Sequence, residues 1–455
     1  MTRNRTRLLA MAVAVLMLTG VVGPFAVAEA QEVSFVLAGF ENRLEPAVLR
    51  YQELNPHVKI EMQVTDHDSY QQKLNIGVES NTLPDVFWWN GLYLQQTWAA
   101  KPEALLDLTP YVDEEFFGLV TEAGWNTYCR NPETGAIYAF PEATQVQGWL
   151  VNEDIFAKCG LALPVTTADL LAAAPVLKEN GYIPIAFGTL DLPYNWMWEH
   201  LPSLWGYWEQ ADDLFTNGTL ACEDADFVNV YPFLADLFEA GAFPEYNATV
   251  SWEECQALFN AEQAAVIMTV TDMVGQIVGV GTDSDISDRV RFIHAFEFAD
   301  SPYNQKMAII NVPNGYGVGS AVGADPAKRD AIIDFFRWFY SDEDNLKEMV
   351  GKGTLVPTTM DTSSWPVPKA LTDAVAIAGS SEYEAVLSSA ATFVQRWYGQ
   401  GDFISAFYEK MHYIFFAGLC DGSITRDMIE ARVKEGTALI AQFIADGATV
   451  NPNAE

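Results

Sequence analysis

The chain has 455 residues, half of them hydrophobic, with 61 acidic side chains against 25 basic ones and a formal net charge of −36. That length accommodates two domains with sizeable cores, and so apolar a composition excludes a disordered chain. The negative balance excludes long-range attraction to nucleic acid phosphates or to anionic membrane surfaces. It serves mainly to solvate an exposed surface.

The N-terminus reads as a targeting segment. Arg3, Arg5 and Arg7 precede an apolar run from Leu8 to Val22, and Ala28-Glu29-Ala30 is a small-x-small cleavage signal. The pattern predicts a secretory signal peptide over residues 1–30, cut near Ala30. No Arg-Arg pair precedes the run, and no cysteine stands by the cleavage point to take a lipid. No later apolar stretch is long enough to span a bilayer. The expectation is an exported, periplasmic protein without stable membrane insertion. Export permits disulfides, and the five cysteines are Cys129, Cys159, Cys222, Cys255 and Cys420. An odd count leaves at least one unpaired. Sequence proximity alone suggests Cys129–Cys159 and Cys222–Cys255.

Beyond the leader, Val33 to Leu37 predicts a strand that Gly39 breaks. Leu44 to Leu54 has helical spacing and stops before Asn55-Pro56. Val58 to Val64 alternates as a second strand. Asp66–Ser69 reads as a loop and Tyr70 onward as a helix. Leu83-Pro84-Asp85-Val86-Phe87-Trp88-Trp89-Asn90-Gly91 turns into a short third strand ending on two indoles, an amide and a glycine. Strand, helix, strand, helix, strand is a βαβαβ unit with a parallel sheet. The loops at Gly39–Asn42, Asp66–Ser69 and Trp88–Gly91 then share one edge, where open α/β sheets bind ligands. Further on, Gly135–Pro141 and Ile183–Gly188 predict strands. Glu153–Phe156 opens a helix with acidic residues in its first turn, and Pro164–Leu170 contains a helix N-cap. Ala264–Val270 predicts another strand.

These segments, in this order, resemble a known family. Pro84-Asp85-Val86, Leu106-Asp107-Leu108, Ile137 to Pro141, Val151 to Phe156, Cys159-Gly160-Leu161, Pro164-Val165-Thr166 and Gly181 to Ala186 are similar to the extracellular solute-binding proteins of carbohydrate ABC importers, the maltose-binding-protein-like group. Phe259 to Met268, Gly315 to Val318, Ala331 to Phe336 and Gly353 to Thr358 continue the likeness over nearly all of the mature chain. Two places depart from it. The family often has Tyr-Asn-Lys near Leu150-Val151-Asn152-Glu153, and Gly-x-Trp where this chain has Thr271-Asp272. The resemblance implies a type II periplasmic-binding-protein fold: two α/β lobes, each a mainly parallel sheet flanked by helices, around a hinged cleft. It implies lobe 1 over 31–141 and 317–357, and lobe 2 over 142–313 and 358–455. The chain would cross near 141–145, 312–317 and 357–360, with a ligand trapped on closure.

A sugar needs two kinds of partner. Its C–H faces stack on indole or phenol rings, and its hydroxyls need donors and acceptors in the ring plane. A buried partner left unpaired rejects analogues that lack the hydroxyl. The candidate ring platforms are Trp88, Trp89, Tyr138, Trp196, Trp198, Tyr316 and Trp397. The candidate polar groups are Glu41, Asn42, Asp68, Asn90, Gln145, Glu199, Asp272 and Asn314. Trp196, Trp198 and Glu199 lie in Asp191–His200, which is too aromatic and polar for an ordinary loop, whereas Trp205 and Trp208 at helical spacing read as core. Asp272 either faces the cleft or caps the following helix. Asn314–Gly317 either lines the cleft or is a hinge turn.

No GxSxG elbow, HExxH or P-loop occurs. The five histidines are scattered, and Asp283–Asp288 lacks the glycine and terminal glutamate of a calcium loop. The expectation is a monomeric, non-enzymatic binding protein without metal or cofactor, which delivers a mono- or oligosaccharide to ABC permease subunits and binds no nucleic acid. Two alternatives stay open: a cationic amine held by aromatic rings, and a glycoside hydrolase, which needs two carboxylates flanking one bond.

Overall fold

A computed structural model describes residues 32–39, 42–131, 134–190, 197, 200–211, 213–214, 218–362, 364–378, 384–386 and 415–445. The expected leader lies outside the described residues. So do Glu41, Trp196, Trp198, Glu199, Trp397 and the side chains of Asp68 and Trp208.

Two sheets form two lobes. In the first, β1 (Val33–Gly39) lies parallel between β2 (Val58–Val64) and β3 (Val86–Asn90), with Leu37 opposite both Met62 and Val86. The helix Glu45–Leu54 buries Ala47, Val48 and Tyr51. The next helix begins at His67 rather than Tyr70, because the Asp66 side chain accepts from the Ser69 N–H (3.0 Å) and so caps it. Asp68 therefore stands in a helical first turn, not in a loop. The sheet is completed by β4 (Ala139–Pro141) and β10 (Asn314–Val318), in the order β2-β1-β3-β10-β4. The helix Pro326–Ser341 seals this core with Ile332, Phe335, Phe336 and Phe339.

The second sheet has the order β11-β9-β5-β7-β6, from β5 (Gln145–Asn152), β6 (Ile183–Ala186), β7 (Ala264–Val270), β9 (Met307–Asn311) and β11 (Glu384–Val386), with β8 (Val290–Ile293) also paired to β5. Strand alternation sends side chains to opposite faces, so Trp149 and Val151 enter one core while Val146 and Leu150 enter another. Capping boxes start the helices Thr167–Glu179 and Trp252–Asn260.

Both sheets are mainly parallel, as expected, but each contains one reversed strand, β10 in the first and β5 in the second. The reason is the crossing of the chain between them. It leaves the first sheet at Pro141 and enters the second at Gln145, then leaves β9 at Asn311 and enters β10 at Asn314. A strand that enters from the cleft edge starts where its parallel neighbours end, so it must run antiparallel to them. Asn314 accordingly sits opposite Asn90, and Gln147 opposite Val270. Asn314–Gly317 is thus strand, not turn. The same pairing extends β3 through Trp88, Trp89 and Asn90, where a loop was expected. Gly91 then opens the helix Gly91–Ala100, its N–H on the Pro313 carbonyl (2.7 Å); a Cβ there would lie 2.2 Å from the Tyr128 ring. Later in the chain, Met360 and Trp365 still pack on the first core, and the helix Lys369–Ala378 joins the second sheet.

Neither expected disulfide is formed. Cys129 is a free thiol inside the first core, whereas Cys159 packs on the second lobe. Cys222 is a free thiol on one face of the second sheet, and Cys255 lies in the core on the other. Although near in sequence, the first pair is split between the lobes and the second between the two faces of one sheet. Among the described residues, no helix is long and apolar enough to cross a membrane.

Candidate functional site

The carboxyl ends of β1 and β3, the start of β10 and the crossing after β4 converge at the edge facing the second lobe. Trp88 and Trp89 are neighbours in a strand and so point to opposite faces. Trp89 is 1% exposed, edge-on to Phe87 (5.7 Å), and its Nε1 donates to Gln71 Oε1 (3.1 Å). Trp88 turns the other way, 8% exposed, and its Nε1 donates to Glu142 Oε2 (2.7 Å). Tyr316, the strand partner of Trp88, donates its hydroxyl to the other oxygen, Glu142 Oε1 (2.9 Å). Tyr70 donates to the carbonyls of Ala38 and Trp88, tying the ends of β1 and β3 together. Asn90 Nδ2 donates to Asn314 Oδ1 (3.4 Å).

Glu142 is 1% exposed at the first crossing. Burial raises its carboxyl above the usual range; Arg43 opposes that rise, nearby Asp272 adds to it, and the Trp88 and Tyr316 bonds oppose it. The Tyr316 hydroxyl is likewise pushed up, by burial and by Glu142.

The second lobe contributes Asp272. It follows β7 in the first turn of the helix Thr271–Ile277, whose N-cap position is Val270, so Asp272 does not cap the helix. Its Oδ2 accepts from Arg43 Nη1, reaching over from the first lobe, and from Gln145 Nε2 (2.8 Å). The same Arg43 nitrogen lies 3.7 Å from Glu142 Oε2, and Arg43 Nη2 contacts Met273 Sδ (3.3 Å). The side chain of Asp272 is fully buried, yet among the described residues its Oδ1 has no hydrogen-bond partner. A buried carboxylate oxygen without a donor is costly.

Trp88, Asn90, Gln145, Asp272, Asn314 and Tyr316 therefore lie together at the junction. Trp89 belongs to the packed side of the same strand. Tyr138 stands apart at the far end of β4, stacked on Trp98 (6.4 Å), with burial and Asp107 raising its hydroxyl. Trp205 is core, edge-on to Phe298 (5.6 Å). Arg43 and Glu142 were not among the sequence candidates. The available signal was weak: one cation in the loop after β1 of a very acidic chain, and one carboxylate between Pro141 and Ala143 at an expected crossing. Among the described residues, no group of three or more His, Cys, Asp or Glu side chains is placed to hold a metal. In the acidic loop, Asp285 gives its two oxygens to the Gly281 and Ser287 N–H groups (both 2.9 Å).

Residues 37–346 match the sequence profile of the bacterial extracellular solute-binding proteins, more than half of the chain. Solved structures share the fold. A protein from work on xylan utilization by the thermophilic bacterium Caldanaerobius polysaccharolyticus superimposes with a TM-score of 0.70 at 18% identity, covering 90% of this chain and 100% of that one. A chitin oligosaccharide binding protein gives 0.69 at 20% identity, covering 91% and 100%. An ABC substrate-binding protein from Listeria monocytogenes, in complex with cycloalternan, gives 0.64 at 17% identity, covering 90% and 99%.

Proposed function

The chain belongs to the bacterial extracellular solute-binding proteins, and from that premise we propose that it captures a mono- or oligosaccharide between its lobes and delivers it to the permease of an ABC importer. It does so as an exported monomer whose leader is removed near Ala30, and it carries out no covalent chemistry. The observation that carries the reading is the interlobe cluster. Asp272 of one lobe is held by Arg43 of the other, and it keeps a buried acceptor without a donor, Oδ1. A sugar hydroxyl is both donor and acceptor, so it suits Asp272 Oδ1, the amides of Asn90, Gln145 and Asn314, and the hydroxyl of Tyr316. Trp88, Trp196, Trp198 and Trp397 are the ring platforms of this proposal, and Glu41, Asp68 and Glu199 its further polar contacts; Trp89, on the packed side of its strand, and Tyr138, stacked on Trp98 away from the junction, drop out of it. The sugar ligands of proteins with similar folds, chitin oligosaccharide and cycloalternan, support the proposal. Capture then shifts an open–closed equilibrium by differential affinity for the closed form.

A cationic amine is the second reading, favoured by one guanidinium serving two carboxylates. Titration calorimetry of the mature chain against neutral mono- to trisaccharides and against quaternary amines separates the two. Saturable sugar binding that is insensitive to salt is expected. Binding of no neutral sugar or polyol, with salt-sensitive amine binding, overturns the proposal.

A further inference from the structure

We infer that Asp272 and Glu142, bridged by Arg43, act as a charge filter that admits neutral hydroxyl-bearing sugars and turns away sugars carrying a carboxylate. The inference rests on the sugar-binding reading above and names the class of sugar.

The geometry gives the physical reason. Arg43 is the guanidinium bonded to this cluster, and it pairs with protein carboxylates: Asp272 Oδ2 in one lobe and Glu142 Oε2 at the crossing. Glu142 gives its two oxygens to the Trp88 indole and the Tyr316 hydroxyl. Asp272 Oδ2 is taken by Arg43 and Gln145. What the cluster leaves to a guest is an acceptor, the buried Asp272 Oδ1. A ligand O–H aimed at that oxygen makes a charge-assisted bond. A ligand carboxylate brings like charge to the same place, in surroundings where charge is weakly screened. It competes with Asp272 and Glu142 for Arg43, and drawing the guanidinium toward the ligand leaves those buried carboxylates less well compensated. Burial and Asp272 also raise the Glu142 carboxyl, and Arg43 opposes that rise together with the Trp88 and Tyr316 bonds. The groups facing Glu142 are Arg43, Asp272, Tyr316, Tyr70 and Trp88, with Cys129 and Tyr340 behind it.

The test is calorimetry on the mature chain with a neutral panel (galactose, glucose, xylobiose, chitobiose, raffinose) and its acidic counterparts, galacturonate and glucuronate. The wild type is expected to bind a neutral sugar and to bind the matching uronate at least about a hundredfold more weakly. In Asp272→Asn, the neutral sugar loses about tenfold, the size of one hydrogen bond to a charged group. The uronate loses less or gains, so the gap narrows. Glu142→Gln changes the charge by one while an amide still accepts from Trp88 and donates to Tyr316. It narrows the same gap and keeps the test decisive if Asp272→Asn fails to fold, which circular dichroism melting reports. Equal wild-type affinity for a sugar and its uronate overturns the filter, as does an unchanged gap in both variants, and either result leaves sugar binding standing. Binding of no sugar by a folded wild type takes the sugar-binding reading and the filter together.

Discussion

His200 is 0% exposed in the second lobe, edge-on to Trp149 (6.5 Å) and to His294 (5.7 Å), and among the described residues neither of its ring nitrogens has a hydrogen-bond partner. Burial, and then the neighbouring His294, push its pKa down from 6.5 to about 3. The folded protein therefore holds this imidazole neutral, while the unfolded chain takes up a proton below about pH 6.5. The stability contributed by the neutral ring is fully present above pH 6.5 and is lost as pH falls from there toward 3. One pH unit inside that window is worth about 1.4 kcal/mol, so a drop from pH 6.5 to 4.5 removes about 3 kcal/mol through this group alone. Many carboxylates titrate over the same range, so the quantity to measure is a difference. His200→Phe keeps a flat ring against Trp149 and removes the titration together with the two unpaired nitrogens. In urea unfolding at pH 7.5 the variant is expected to match or exceed the wild type. At pH 4.5 its advantage grows by about 3 kcal/mol. If the two stabilities run parallel between these pH values, His200 is not held neutral by burial and the argument fails.

Glu142 gives the opposite sign. Its carboxyl is raised by burial, so the protonated form suits the fold, and its contribution is lost as pH rises from the ordinary carboxylate range through the folded value. Glu142→Gln should remove that loss, seen as a smaller fall in melting temperature between pH 5 and 8 than in the wild type. Tyr316→Phe takes the donor from Glu142 Oε1 and should cost about 1–3 kcal/mol in chemical unfolding; no change in midpoint would show the bond to be unimportant. Gly275 lies so close to the chain segment after the helix Glu343–Gly351 that an added Cβ would sit 2.0 Å from the Lys352 carbonyl oxygen. Gly275→Ala should therefore lose about 1–3 kcal/mol by overpacking, and an unaltered melting temperature would refute that close approach.

Much of the local structure was already present in the order of residues. The alternation of Val58–Val64, the helical spacing before Asn55-Pro56, the apolar run Ala264–Val270 and the cap at Thr166 each depend on neighbours within a few positions, and each element forms where its pattern predicts. The same local rules put Trp88, Asn90, Gln145, Asp272, Asn314 and Tyr316 among the candidates. The partners of these residues were not local. Arg43 meets Asp272 across 229 positions and Trp88 meets Glu142 across 54. Those meetings exist only because the chain crosses between two sheets and re-enters each from the shared edge, which also sets β10 antiparallel and keeps Trp88 and Trp89 in strand. The cysteines make the same point. Cys129 and Cys159 are 30 positions apart, but burial in separate lobes outweighs nearness along the chain. Periodicity determines which face of an element is apolar; which charged group lies opposite it is decided by packing between elements, because a buried charge takes its partner from whatever the fold brings within a few ångströms.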